Sequence, residues 1–344
     1  MRAVVAEDIG PWRSVLKLAE RPPIQQVPQG ALHVEVSACG MGFPDLLQVE
    51  GKYQQKAQPP FVPVNYISGR VLSVGDGVDA GAFQIGDRVV GNAAADGDGH
   101  MCGGLAEQAL LRASSAHRVP DGMGDAVVLS MHENYWDVHN ALFACGRLQR
   151  GDMLLVLGAS GACGMAAIDL GKTAGASVVA CASTDDKLQA CRAAGADHLV
   201  NYGQEPDYDA LIATLREAEL YGKPNVVFDP VGSRYAEAAF RSMARGGRHV
   251  VFGFASGGTD PKQAFPSFPI NLLLMKAQQI VGAMGRASAE QVQEMFQLVQ
   301  DGRLTPGVAT ADGAASAYTL ESFVEAFDDV ANRRAIGKVI ISVT

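Results

Sequence analysis

One stretch constrains this chain more than any other: Leu154-Leu155-Val156-Leu157 runs into Gly158-Ala159-Ser160-Gly161-Ala162-Cys163-Gly164 and then Met165-Ala166-Ala167-Ile168-Asp169-Leu170. An apolar strand that breaks into small residues and restarts as a helix aims the backbone amides of the first helical turn at one point. The helix dipole favours negative charge there. Ala159 stands at the first place of a G-x-G-x-x-G pattern, with Gly161 and Gly164 at the second and third. A side chain at Gly161 would block a pyrophosphate, so Ala159, Ser160, Gly161, Ala162, Cys163 and Gly164 are the candidate phosphate-binding residues.

The surroundings support a dinucleotide reading. Apolar runs at 153–158, 177–182, 198–201, 225–229, 248–253 and 279–283 alternate with helix-like stretches at 162–173, 185–194, 209–219 and 235–243. That rhythm predicts βαβ units and a complete doubly wound, six-stranded parallel sheet. Before about residue 123 the pattern differs, with short β-branched runs (34–38, 69–74, 87–90) closed by Gly, Pro or Asp, as in an antiparallel, barrel-like domain. The closing run 337–343 has no slot in a full sheet and is assigned to the first domain. The predicted domains are therefore 1–123 with 286–344, and 124–285 between them.

About twenty residues after the glycine turn, an NAD site ends its second strand in Asp or Glu to hold the ribose 2′-hydroxyl. Here that strand ends Ala182-Ser183-Thr184, with Lys187 one turn on, so a 2′-phosphate meets a cation rather than an acid. The expected cofactor is NADPH. The alternative is that Ser183 or Thr184 caps the next helix and Lys187 is a solvated charge.

Composition removes other classes. The 344 residues are 48% apolar and 19% charged, which fits a soluble globular protein. A net charge of −9 argues against nucleic acid and acidic membrane surfaces as partners. The six cysteines form no C-x-x-C pair, the start lacks a signal-like apolar region, and no run approaches the ~18 apolar residues of a membrane span. A cytoplasmic location is expected.

Further motifs carry a family resemblance across essentially the whole chain. Phe43-Pro44-Asp45-Leu46-Leu47, Gly51-Lys52-Tyr53-Gln54, Pro60-Phe61-Val62-Pro63, Gly86-Asp87-Arg88-Val89 and Gly103-Gly104-Leu105-Ala106-Glu107 are joined by Gly195-Ala196-Asp197-His198, Asp229-Pro230-Val231-Gly232, Gly246-Gly247-Arg248 and Gly337-Lys338-Val339. Together with the glycine turn they resemble the zinc-free, zeta-crystallin-like quinone oxidoreductases of the medium-chain dehydrogenase/reductase superfamily. The resemblance implies an α/β chain with a GroES-like catalytic domain and a Rossmann NADPH-binding domain. It implies 2′-phosphate contacts from Ser183, Lys187 and Tyr202, segments 225–231 and 252–256 (Phe252 and Gly253 among them) flanking the adenosine and nicotinamide ribose, and Lys338 near the cofactor. It also implies a homodimer paired through Gln279 to Ala283. Zinc-dependent cousins carry Cys, His and Glu where this chain has Gly42, Asn65 and Tyr66, so no metal is expected.

Three departures fall where such proteins build the substrate pocket. Val-Asn-Phe becomes Met41-Gly42-Phe43, Pro-Gly-x-Glu becomes Pro63-Val64-Asn65-Tyr66, and Asn-Tyr-x-Thr becomes Asn134-Tyr135-Trp136-Asp137. Three readings stay open: narrowed specificity, with Trp136 and Tyr66 stacked on an aromatic substrate and Asp137 binding a donor on it; drift at an unconstrained rim; or altered chemistry. The expected reaction is hydride transfer to a quinone or an α,β-unsaturated carbonyl, an enone. Tyr53 is the first candidate donor to the developing oxyanion, with Tyr66 and backbone amides as alternatives. An NADPH-binding structural or sensing protein with little turnover is the competing reading.

Overall fold

In a computed structural model of the chain, which describes residues 1–54, 56–203, 207–255, 266–284, 288–306 and 318–343, the apolar runs of the second half form one parallel sheet of six strands. Its order is His198–Asn201, Ser177–Ala182, Met153–Leu157, Val226–Asp229, Arg248–Val251, Gln279–Gly282. Leu154, Leu155, Val156 and Leu157 are all fully buried, because helices cover both faces of a parallel sheet and no alternating pattern survives. Strand order reverses between Met153–Leu157 and Val226–Asp229, so the turns leaving these two strands flank the crevice where such sheets bind ligands.

The β-rich part contains a hairpin of Arg2–Ala6 with Leu16–Glu20 and a larger sheet centred on Ala31–Met41. Tyr66–Val74 pairs with that strand on one side. Val339–Ser342, near the end of the chain, pairs antiparallel with its last residues, as expected, Val339 opposite Met41 and Ile340 opposite Gly40. This register delivers Lys338 to the Gly40–Gly42 segment. The core beneath includes Val34, Val36, Ile67, Val89 and Leu111, closed by Phe323 and Phe327 of the helix Phe323–Ala331.

The two compact units are Met1–Glu133 with Thr310–Thr344, and Asn134–Ala309. Both boundaries differ from the expected 123/124 and 285/286, the latter lying in 285–287, outside the described residues. The helix Ala289–Gln300 belongs to the second unit because Phe296 packs edge-on against Trp136, ring centroids 6.1 Å apart, and because the chain beyond the helix is tied down by Thr305 N donating to Asp169 at 2.8 Å. Residues 125–145 form a helical stretch in which α-turns alternate with π-turns at Met131–Tyr135 and Asn140–Cys145. Among the described residues no helix is long and apolar enough to cross a membrane.

Candidate functional site

In the second unit the glycine turn divides into glycines the chain needs and one it does not. Gly158 has φ of 59°, a left-handed conformation that disfavours side chains. A Cβ on Gly164 would lie 2.4 Å from Gly158 O and 2.5 Å from Ala159 O, so helix and strand could not approach as they do. A Cβ on Gly161, by contrast, would meet nothing nearer than Gly158 O at 3.4 Å. Gly161 therefore leaves open a space that folding does not use. It is the N-cap of Ala162–Thr173, whose first internal bond runs from Met165 N to Gly161 O at 2.8 Å. The amides of Ala162, Cys163 and Gly164 precede that bond and have no partner within the helix, as a phosphate cradle requires. Ala159 and Ser160 are buried, Ala159 N donating to Cys181 O at 3.0 Å.

The residues expected to read the 2′-phosphate gather at the end of the second strand. Lys187 Nζ lies 3.4 Å from Ser183 Oγ, while the Thr184 side chain accepts from Lys187 N at 3.5 Å and caps the helix. Both readings of this segment thus hold together: Thr184 caps, and Lys187 reaches back to Ser183. Asp185, two residues beyond Ser183, accepts from Asn201 Nδ2 at 2.8 Å. Tyr202 donates its amide to Ala182 O at 3.1 Å and stacks on Tyr235 at 4.2 Å. Phe252 and Gly253 both donate amides to Asp229 O, and Phe252 packs on Phe228 at 4.9 Å; Ser256 lies outside the described residues. Asp229 is buried, accepts from Val231 N and Gly232 N at Oδ1, and takes His249 Nε2 at 2.9 Å at Oδ2. No motif in the sequence pointed to His249.

One of the expected substrate contacts, Trp136, is committed to the core. Trp136 is 2% exposed and packed against Phe296, so it cannot stack on a substrate. Asp137 belongs to the second unit beside the glycine turn, where its charge acts on Cys163. Burial, opposed by a hydrogen bond from Asn134 and aided by Asp137, pushes that thiol up to about 12. An inert thiol results.

The first unit holds a pocket of about 290 Å³ whose lining includes Tyr53, Tyr66, Asp45 and Asn65. The two tyrosines expected to serve the acceptor are thus brought together. Asp45 caps the helix Phe43–Val49, its Oδ2 accepting from Gly42 N at 2.8 Å and its Oδ1 from Asn65 N at 3.1 Å. Burial pushes its carboxyl above the ordinary carboxylate range, against those bonds and the nearby Lys338 charge.

Lys338, expected near the cofactor, is held by groups of the first unit. It is 4% exposed, with Nζ in contact with the Glu133 carboxylate, donating to Met41 O at 3.1 Å and lying 5.6 Å from the Tyr66 ring centroid. Burial pulls its ammonium down, to about 7, against the attraction of Asp45. Glu133 escaped sequence reasoning; its one signal was adjacency to the altered 134–137 segment. The positions of the zinc ligands in the zinc-dependent cousins carry other groups in this chain. Gly42 offers no ligand, Asn65 and Tyr66 offer an amide and a phenol, and among the described residues no group of three or more His, Cys, Asp or Glu could hold a metal.

Comparison with known proteins agrees with this architecture. Residues 28–121 match the alcohol dehydrogenase GroES-like domain family, and residues 162–301 match the zinc-binding dehydrogenase family. Quinone oxidoreductase-like protein 2 of Bos taurus is 33% identical over 90% of this chain and 84% of its own length. An acryloyl-coenzyme A reductase of Sulfurisphaera tokodaii is 24% identical over 90% of this chain and 91% of its own. A mycobacterial protein solved in complex with NADPH superposes with a TM-score of 0.81 at 26% identity, covering 99% of each chain. The chain belongs to the quinone oxidoreductase branch of the medium-chain dehydrogenase/reductase superfamily.

Proposed function

We propose that the protein is a zinc-independent, NADPH-dependent oxidoreductase that reduces a quinone or an α,β-unsaturated carbonyl compound. The observation that carries this reading is the space at Gly161, which no packing requirement explains and which the first-turn amides of Ala162, Cys163 and Gly164 face. Those amides would hold the pyrophosphate, Ser183 and Lys187 the 2′-phosphate beside Tyr202, and the Phe252–Gly253 backbone the nicotinamide-side ribose. Bound NADPH supplies the hydride. Tyr53 and Tyr66 line a pocket of a size to hold a small ring or enone, where a phenol can donate to an oxygen as negative charge develops on it. Without thiolate or imidazole ligands at positions 42, 65 and 66, this donor role falls to hydrogen bonds. The acryloyl-coenzyme A reductase likeness favours the enone class, and the Bos taurus relative the quinone class.

We also propose a cytoplasmic homodimer. All six cysteines are unbridged thiols, buried or half-buried. The sheet ends on Gln279–Gly282, beside Leu274 at 86%, Met275 at 66% and Met284 at 92% exposure, an apolar edge that pairing with a second copy would cover. A second reading, a cofactor-binding protein with little turnover, draws on Glu133 and Lys338, whose charges are locked together beside the pocket-lining Tyr66.

The test follows NADPH absorbance against a panel of quinones, enones and aldehydes, alongside a binding titration of NADPH and NADH. Consumption with one acceptor class supports the reductase and identifies its substrate. Tight binding without consumption favours the second reading, and no binding of either nucleotide overturns both.

A further inference from the structure

We propose that the acceptor carries an oxyanion, a carboxylate or a phosphate, held at the mouth of the first unit's pocket by Arg112 and Lys56. The inference rests on the reading that this pocket takes the hydride acceptor. Both cations line the pocket and both are exposed. Among the described residues the Arg112 guanidinium has no ion pair or hydrogen bond. Lys56 Nζ turns to Gly51 O, a neutral acceptor that leaves its charge unanswered. The carboxylate in the lining does not cancel them. Asp45 is 4% exposed, both its oxygens are taken by the amides of Gly42 and Asn65, and the charge of Lys338 acts on it from behind.

Two exposed positive charges therefore line the pocket while its buried acid is already committed. This occurs in a chain of net charge −9, where two cations without a carboxylate partner in one pocket lining are not the background expectation. A guanidinium offers a planar fork of donors matched to carboxylate or phosphate, and a lysine adds a point charge that tolerates either. The same lining carries the phenols of Tyr53 and Tyr66 and the amides of Gln48 and Gln58, which suit a planar unsaturated body that can stack and accept hydrogen bonds. The pocket's volume of about 290 Å³ suits that body alone. A charged substituent would then extend outward to the cations.

Matched acceptors test this. One pair is 1,4-naphthoquinone and its carboxylate derivative; the other is an enoyl-pantetheine and the corresponding enoyl-coenzyme A, which adds phosphates. For at least one pair the charged member should have the higher kcat/KM at low salt, and salt should erode the preference. In Arg112→Gln the charged-to-neutral ratio should fall about tenfold, with a further fall on adding Lys56→Gln. A merely structural role would lower both members and keep the ratio, which would overturn the proposal. Calorimetric titration of the charged compounds without NADPH separates the two readings. Binding that weakens in Arg112→Gln, with no acceptor consumed, sustains the anion site and defeats the reductase. Consumption of neutral and charged members alike, with equal binding by both proteins, sustains the reductase and defeats the anion site.

Discussion

Glu133 occupies the side-chain space of Gly42: a Cβ on Gly42 would lie 2.7 Å from Glu133 Oε1. The backbone at Gly42, with φ −134°, is open to any residue, so only this contact demands glycine. Gly40 repeats the arrangement, its absent Cβ lying 2.7 Å from Lys338 Cε. Two bare positions, one in the strand Ala31–Met41 and one just past it, thus admit the two ends of a buried ion pair whose side chains are 2% and 9% exposed. The change from Asn to Gly at position 42, which the sequence left open as drift or altered specificity, is coupled to a carboxylate on a separate helix.

This coupling predicts a double-mutant cycle. Gly42→Ala should destabilise the protein by about 1–3 kcal/mol through the clash with Glu133. In a Glu133→Ala background the same change should cost less, with a coupling of about 1–2 kcal/mol read from urea denaturation. Strictly additive costs would show that Glu133 is not what excludes a side chain.

The pair also predicts a pH dependence. Burial already holds the folded Lys338 ammonium down at about 7, below its ordinary value of ~10.4. Between those values the unfolded chain binds a proton that the folded chain does not, so this group makes stability rise with pH across that window. Glu133→Gln removes the contacting negative charge and lowers the folded value further. Its stability cost should therefore be greater at pH 6 than at pH 9, as measured by denaturant titration at each pH. An equal cost would mean that Glu133 does not support the charge on Lys338.

Much of the architecture was legible because parallel strands buried on both faces read as unbroken apolar runs, and Leu154–Leu157 is one. The closing strand was legible by exclusion, since six strands already filled the sheet. The 125–145 helix was not. Its π-turns shift the phase of the apolar residues, as where Gly146 N reaches back five residues to Ala141 O at 2.8 Å, and no 3.6-residue period survives. Trp136 reads as a pocket residue only through the family pattern at 134–137, whereas its helix turns it onto Phe296. Glu133 and Lys338 could not be paired from spacing at all, because they lie 205 residues apart.

Trp136→Ala should act as a core truncation, costing about 3–5 kcal/mol in urea denaturation. A variant of native stability with an altered KM for aromatic acceptors would restore Trp136 to the substrate.

Lys187→Ala should weaken NADPH by about 1–3 kcal/mol and leave NADH nearly as tight, as equilibrium binding of each nucleotide would show. Because Thr184 caps the helix through the Lys187 backbone amide, the substitution keeps that cap. Equal loss for both nucleotides would assign Lys187 a supporting role only.

The most direct measurement is calorimetric titration of NADPH into the wild-type protein and Gly161→Val, with the melting temperature of each. A Cβ at Gly161 would meet nothing nearer than Gly158 O at 3.4 Å, so the variant should melt close to the wild type and bind no NADPH. A Gly161→Val protein that binds NADPH as tightly as the wild type would contradict the cofactor site, and with it the assigned chemistry.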